Sequence, residues 1–160
     1  MTALIPVVVA GALGRMGAEV IRAVQGAEDC TLVGAIDNTP GKEGCDVGLE
    51  LGLGELEVAV TADFEGCLCA VSQSVRAAEA GAVLVDFTHP SVVYDHTRAS
   101  IAYGVHPVIG TTGLSPQQLD DLTQFSAKAS IGGAVIPNFS VGMVLLQQAA
   151  AAAARFYDHA

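Results

Sequence analysis

The sequence predicts an α/β domain: a doubly wound parallel sheet of about six strands in a single domain. Three observations predict it. Short apolar runs alternate with segments whose apolar residues recur at helical spacing, and strand–helix–strand units with short links require parallel pairing. The first apolar run, VVVA, breaks into a turn with glycines at 11, 14 and 17. The chain has 160 residues, 51% hydrophobic and 15% charged, which suits one well-buried core and argues against disorder.

Leu4 to Ala10 is continuously apolar, as a strand buried on both faces must be. Arg15 to Gln25 follows as a helix, with Met16, Val20, Ile21 and Val24 at helical spacing. Thr31 to Ile36 (TLVGAI) is a second strand, closed by Asp37. Asn38 to Gly54 is rich in glycine and polar residues and reads as a loop, and Glu57 to Thr61 as a short strand. Leu68 to Ala80 is a helix with Val71, Val75 and Ala78 on one face. Ala82 to Phe87 is a buried strand. Pro90 and Ser91 favour a helix start after it, and that helix runs to about Tyr103, where Gly104 stops it. His106 to Ile109 is a strand. Ser115 caps the next helix, with Pro116 in its first position, and it runs to about Ala129. Ala134 to Ile136 is the last strand. The final helix spans Val141 to Tyr157, its alanines at 149 to 154 being strong helix formers.

Seventeen acids against seven bases give a formal charge of −10. That balance argues against nucleic-acid or anionic-membrane partners, which need basic surfaces, while leaving room for one local phosphate pocket. Cys30, Cys45, Cys67 and Cys69 form no Cys-x-x-Cys pair, and no histidine stands at zinc-ligand spacing from them. They read as buried small hydrophobes in a reducing cytosol, and no metal site is expected. Ala3 to Leu13 lacks the charged leader of a signal peptide, and no run approaches the roughly 18 apolar residues of a membrane span, so a cytoplasmic location is expected.

Parallel strands direct their C-terminal ends at one sheet edge, where ligands bind at the switch in strand order. Gly11 permits the tight turn off the first strand, Gly14 lets the backbone approach a pyrophosphate, and Gly17 lets the helix pack on the sheet. The helix N-terminus, with its free N–H groups and positive dipole end, suits phosphates. The spacing is Gly-x-x-Gly-x-x-Gly, a variant of the usual dinucleotide pattern. Its setting supports the reading: it follows a strand, opens a helix, and Asp37 stands 20 residues past Gly17, close to where an acid binds the adenosine ribose hydroxyls. This makes the domain Rossmann-type. Arg15 is placed to reach the phosphates or a 2′-phosphate. The segments Asp86–Pro90, Gly110–Gly113 and Pro137–Gly142 each follow a predicted strand, and their glycines and hydroxyls suit a nicotinamide carboxamide at the same edge.

GALGRMG, DFTHP, VIGTTG and PNFSVG, in this order, resemble the N-terminal domain of the 4-hydroxy-tetrahydrodipicolinate reductase (dihydrodipicolinate reductase) family, over nearly the whole chain. The resemblance implies an NADH- or NADPH-dependent reductase of the diaminopimelate route to lysine. In that family the glycine turn holds the pyrophosphate, which maps to Gly11, Ala12, Leu13, Gly14, Arg15 and Met16. The ribose acid maps to Asp37, and the nicotinamide contacts map to Gly110, Thr111 and Thr112 and to Pro137, Asn138, Phe139 and Ser140. Phe87 and Thr88 match a pair near the cofactor. Residues 1–140 are then a dinucleotide-binding domain, and 141–160 a helix leading towards a second domain.

Two departures stand out. Members that use NADPH well often carry an arginine directly after the ribose acid, whereas Asn38, Thr39 and Pro40 follow Asp37. Arg15 or Lys42 is the candidate substitute. The second domain binds the dicarboxylate substrate, builds a homotetramer and carries a His-His-x-x-Lys motif, which nothing here matches. No catalytic residue is therefore assigned in this chain, His159 included. The resemblance places the catalytic residues beyond Ala160, and turnover is not expected of the chain. His89, His96 and His106 have no acid at a telling spacing and read as surface or loop residues. The competing expectation is a stand-alone dinucleotide-sensing or interaction module without catalysis. A homoserine or semialdehyde dehydrogenase is disfavoured by the Gly-Thr-Thr-Gly and Asn-Phe-Ser-Val-Gly segments.

Overall fold

The computed structural model describes residues 4–77, 81–136 and 138–157. Six strands form one sheet: β1 (Ile5–Ala10), β2 (Cys30–Ile36), β3 (Val60–Thr61), β4 (Ala82–Asp86), β5 (Val105–Ile109) and β6 (Ala134–Val135). Their spatial order is β3-β2-β1-β4-β5-β6, and every ladder is parallel. The order reverses between β1 and β4, which opens a crevice beyond their C-terminal ends.

The helices are α1 (Arg15–Gly26), α2 (Val47–Glu50), α3 (Phe64–Ala77), α4 (Val93–Ala102), α5 (Pro116–Ala129) and α6 (Val141–Ala154). Because successive side chains of a strand point to opposite faces, the apolar run of β1 serves two cores. Val7 and Val9 pack with Leu32, with Ile21 and Val24 of α1, and with Val47 of α2. Val8 and Ala10 pack with Leu84 and with Leu68, Val71 and Val75 of α3. The β1–β2 ladder slips between Val7 and Val8, so Val33 has no partner in it and stays exposed. Gly34 follows on the other face, where a Cβ would come within 2.7 Å of Cys67 Sγ, and this lets α3 sit close on the sheet.

The expected alternation is present, with differences at particular boundaries. The segment read as a loop from Asn38 to Gly54 contains α2. Asp46 caps that helix through Leu49 N–H and also accepts from the amides of Leu56 and Val58, so one half-buried carboxylate organises the whole excursion. Helix α3 begins at Phe64 rather than Leu68, because the Asp63 side chain accepts the Gly66 N–H. The part of that expectation at 78–80 lies outside the described residues. Helix α4 begins at Val93, since the chain first makes a turn in which the His89 carbonyl accepts from Val92 and Val93. The capping box of α5 is as expected: Ser115 Oγ accepts from Gln118 N–H, and the Gln118 side chain accepts from Ser115 N–H.

The final helix ends at Ala154, short of the expected Tyr157, and buries none of its residues; Met143, Leu145 and Leu146 are all exposed. Asp158, His159 and Ala160 lie outside the described residues. Within 141–160 the described helix is Val141–Ala154. No helix among the described residues is long and apolar enough to cross a membrane. The four cysteines are free and half-buried, not fully buried as their small apolar character suggested.

A Cβ at Gly17 would stand 2.0 Å from the Gly11 carbonyl oxygen, whereas one at Gly26, in the last turn of the same helix, would meet nothing within 4 Å. Gly17→Ala should therefore destabilise the chain by roughly 3 kcal/mol, because only backbone movement relieves the clash. Gly26→Ala should be neutral or stabilising by up to about 1 kcal/mol. Urea denaturation of both variants beside the parent chain measures this pair.

Candidate functional site

The site is built where the strand ends are tied to one another. Beyond the ladders, Gly11 N–H and Ala12 N–H donate to Ile36 O, Asp37 N–H to Thr61 O, Phe87 N–H to Ala10 O, Gly110 N–H to Asp86 O and Ile136 N–H to Ile109 O. Each post-strand loop is thus pinned to its neighbour at the same level. Gly11 has φ +77°, and a Cβ there would lie 2.6 Å from the Phe87 carbonyl oxygen. Only glycine brings the β1 turn this close to the β4 turn.

The amides of the glycine turn are largely committed. Leu13 N–H donates to Asp37 Oδ2 at 2.9 Å, and Gly14 N–H to Gly11 O at 3.0 Å. Ala12 is fully buried, so its side chain is core. Gly14 caps α1 without any side-chain hydrogen bond, and the first turn carries no acid. The exposed amides left to an anion include those of Arg15 and Met16, at the positive end of α1. Both residues are exposed.

Asp37 ends β2 half-buried, and its two oxygens are unequally used. Oδ1 accepts from Thr39 N–H and Thr39 Oγ1, and Oδ2 accepts from Leu13 N–H alone. It lines a groove of about 600 Å³ with Gly11, Gly14, Phe87, Thr88 and His96. A second groove of about 340 Å³ adjoins it through Gly14, Phe87 and Thr88, and continues past Arg15, Met16 and Gly110 to Thr111 and Thr112. The β6 loop reaches the same edge: the Phe139 ring packs on Phe87 with centroids 5.1 Å apart, and Asn138 Oδ1 accepts the Ser140 N–H. Pro137 lies outside the described residues. The other expected positions therefore follow the C-terminal ends of β1, β2, β4, β5 and β6.

Three expectations need correction. Lys42 is a poor stand-in for an arginine beside Asp37, because its ammonium is paired with Glu50 at 2.5 Å. The hydroxyls of Thr88 and Thr111 do not donate into the groove; both donate to Asp86 Oδ1, at 2.7 and 2.8 Å, leaving only lone pairs to a ligand. Thr112 is the exposed hydroxyl of the pair. His96 is neither a loop residue nor without an acid: it sits on α4, its Nδ1 lies 2.9 Å from Asp86 Oδ2, and its ring stacks on Phe64 at 3.8 Å. His106 stands in β5, with Nδ1 on the Gly132 carbonyl, while His89 is the exposed turn residue expected.

Asp86, the residue the sequence reading passed over, is fully buried at the end of β4. Burial alone would raise its carboxyl pKa. Hydrogen bonds from His96, from the Thr88 hydroxyl and amide, and from the Thr111 hydroxyl outweigh burial and hold it below the usual carboxylate range. An ionised carboxylate accepts only, so the His96 proton facing it is on Nδ1. The available signal was an acid closing an otherwise apolar strand, with hydroxyls in the two adjacent loops.

The strand order, the glycine turn at its switch point and the acid closing β2 define a Rossmann-type α/β domain. The chain belongs to the dihydrodipicolinate reductase family, whose N-terminal region ("Dihydrodipicolinate reductase, N-terminus") matches residues 5–139. It is 91% identical over 160 residues to the 4-hydroxy-tetrahydrodipicolinate reductase of Synechococcus sp. (strain CC9605), covering 100% of this chain and 58% of that protein. Against the reductase of that name from Synechococcus elongatus it is 57% identical over 155 residues, covering 97% of the chain and 55% of the relative. The chain thus spans little more than half the length of these relatives. Among solved structures, the dipicolinate-bound dihydrodipicolinate reductase of Paenisporosarcina sp. TG-14 superposes with TM-score 0.69 at 30% identity, over 94% of this chain and 54% of that one. The WlbA dehydrogenase of Thermus thermophilus, at 15% identity over 83% of this chain and 41% of that one, with TM-score 0.68, shares the fold.

The Asp86 network generates a pH signature. Its carboxyl is depressed in the folded chain and returns to about 3.9 on unfolding, so its contribution is complete above roughly pH 5 and is lost as pH falls through the folded value below 4. Asp86→Asn should cost on the order of 3 kcal/mol at pH 7, since donors aimed at a buried carboxylate lose it. The gap to the parent should narrow as pH drops from 5 to about 3. Urea midpoints of both chains across that range measure it.

Proposed function

We propose that the chain is the NAD(P)H-binding part of a 4-hydroxy-tetrahydrodipicolinate reductase, which reduces 4-hydroxy-tetrahydrodipicolinate to tetrahydrodipicolinate, with loss of water, in the diaminopimelate route to lysine. The observation that carries this is the convergence of the glycine turn, Asp37 and the Gly110–Thr112 loop on two adjoining grooves at the sheet's switch point.

The residues present fit a dinucleotide. The open amides of Arg15 and Met16 face a pyrophosphate with the α1 dipole behind them. Asp37 Oδ2 has a lone pair left for a ribose hydroxyl. The lone pairs of Thr88 and Thr111 and the exposed Thr112 hydroxyl suit the donors and acceptor of a carboxamide. A Cβ at Gly110 would come within 2.1 Å of the Phe87 ring, so glycine there lets that loop lie directly against it. A bound reduced nicotinamide supplies the hydride; these side chains fix where it is presented, and positioning of this kind accounts for about 7–11 kcal/mol of a barrier. Residues 1–140 are read as the dinucleotide-binding domain, and 141–160 as the lead towards a second, substrate-holding domain, a role that suits the unburied apolar face of α6. The catalytic residues are read as lying beyond Ala160, in the part of the relatives' length that this chain does not cover. The partner is a small dicarboxylate, and a homotetramer would need that second domain. The cytoplasm, with its nicotinamide pool and reducing conditions for four free thiols, is the matching location.

The groove favours NADH at least as much as NADPH. Asp37 would repel a 2′-phosphate by on the order of 1 kcal/mol near a surface. Asn38 supplies no cation, and Lys42 is committed to Glu50. Arg15 is the cation that offsets part of this.

Titrating the 160-residue chain with NADH and NADPH should show saturable binding of NADH with affinity equal to or above that for NADPH, and Asp37→Ala should narrow the gap by weakening NADH. NADPH binding more than about tenfold tighter would overturn the preference, and no binding of either at millimolar concentration the function. In an NADH-oxidation assay with fresh substrate the chain alone should give no turnover. A rate within about a hundredfold of an intact family member would show that these residues also hold the substrate.

A further inference from the structure

Asp86 is buried out of reach of a ligand, and no contact assigned above uses it. Yet its carboxylate bridges three separate pieces of the groove wall. Oδ1 accepts from the amide and hydroxyl of Thr88 in the β4–α4 loop and from the hydroxyl of Thr111 in the β5–α5 loop, and Oδ2 faces Nδ1 of His96 on α4. Removing only the acid of such a network strands the donors aimed at it, so the carboxylate does more than fill the end of β4. What an apolar residue would lose is the fixed direction of two hydroxyls and one imidazole.

The imidazole is the consequential one. Its Nδ1 proton is committed to Asp86, one face is covered by Phe64, and the ring still lines the groove that Asp37 lines. In the neutral ring that carries its proton on Nδ1, the remaining nitrogen, Nε2, is an acceptor. Asp37 has one unfilled acceptor site, since Oδ1 already takes two donors and Oδ2 takes one. A ribose diol brings two O–H donors. One carboxylate oxygen and one imidazole nitrogen on the same groove supply the two acceptors it needs.

Resting on the dinucleotide reading above, we propose that Asp86 is a positioning residue: it holds the two hydroxyl-bearing loops in register and sets the His96 tautomer, so that Nε2 accepts a hydroxyl of the adenosine ribose opposite Asp37. His96 is then a cofactor contact, and Asp86 acts through it.

The test uses the 160-residue chain, NADH as the probe, and a pair of His96 variants. His96→Asn keeps an amide N–H near the place of Nδ1 and removes Nε2; His96→Gln places an amide near Nε2 and gives up the contact with Asp86. His96→Asn should melt within about 2 °C of the parent yet bind NADH roughly tenfold more weakly. His96→Gln should recover part of the binding at lower stability. Asp86→Asn should weaken NADH binding by about tenfold or more, with the His96 ring-nitrogen resonances changed from the Nδ1–H pattern. In the parent, the ¹⁵N resonance of His96 Nε2 should shift on saturation with NADH. If His96→Asn binds NADH within about twofold of the parent, and Nε2 does not shift at saturation, His96 is only a structural cap for Asp86 and the proposal is overturned alone. If the parent binds neither NADH nor NADPH, the dinucleotide reading falls and takes this proposal with it. Should Asp86→Asn fail to fold, the His96→Asn affinity and the Nε2 resonance decide the matter.

Discussion

The strand-end edge depends on one steric constraint: three lengths of backbone meet with no room for a Cβ between them. Gly11 turns under the Phe87 carbonyl, and Gly17 lays the first turn of α1 against the Gly11 carbonyl. That contact seats the N-terminus of α1 over the switch in strand order, with its Arg15 and Met16 amides open. A methyl group at either glycine would lift the helix away from the crevice, and the dipole and open amides with it. The apolar bulk of β1 makes the close seating possible, since Val7 and Val9 anchor α1 from below while Val8 and Ala10 anchor α3 on the other face. Packing of the two cores and geometry of the edge are thus one problem, solved by the same short strand.

The wall of the groove is organised differently. There the determinants are two carboxylates at the ends of parallel strands, one half-exposed and one buried. Asp37 is held by the glycine turn and by Thr39, so its position is tied to the N-terminal end of α1. Asp86 ties the β4 and β5 loops and α4 together, so its position is tied to both stretches of the groove. A long, extended ligand fits this arrangement, because each stretch of the groove has its own fixed polar group and little has to be ordered on binding.

Much of this was legible from the residues. Apolar runs and helical periodicity give the six strands and five of the helices in order, because burial on both faces leaves a continuous signal in short parallel strands. The glycine spacing and Asp37 locate the edge, because turn and dipole chemistry is local in sequence. What was missed is long-range or depends on a cap. Helix α2 exists because Asp46 gathers amides from residues up to 12 positions away, which no periodicity reveals. The commitment of Lys42 to Glu50, and of Thr88 and Thr111 to Asp86, required the fold to be known before the partners could be. His96 was misread for the same reason. Its acid stands ten residues earlier across a turn, at a spacing that means nothing until β4 and α4 are packed together.

The apolar pocket of about 330 Å³ between α4, α5 and β5, lined by Ile101, Pro107, Leu119 and Leu122, competes with the strand-end groove as the place where a small molecule enters. An amide-resolved NMR titration of the chain with NADH separates the two most directly. The account predicts that saturation moves the amides of Arg15, Met16, Asp37, Thr88 and Thr112, and leaves those of Ile101, Leu119 and Leu122 in place. Shifts concentrated around the α4–α5 pocket, with Arg15 and Met16 unmoved, would contradict it.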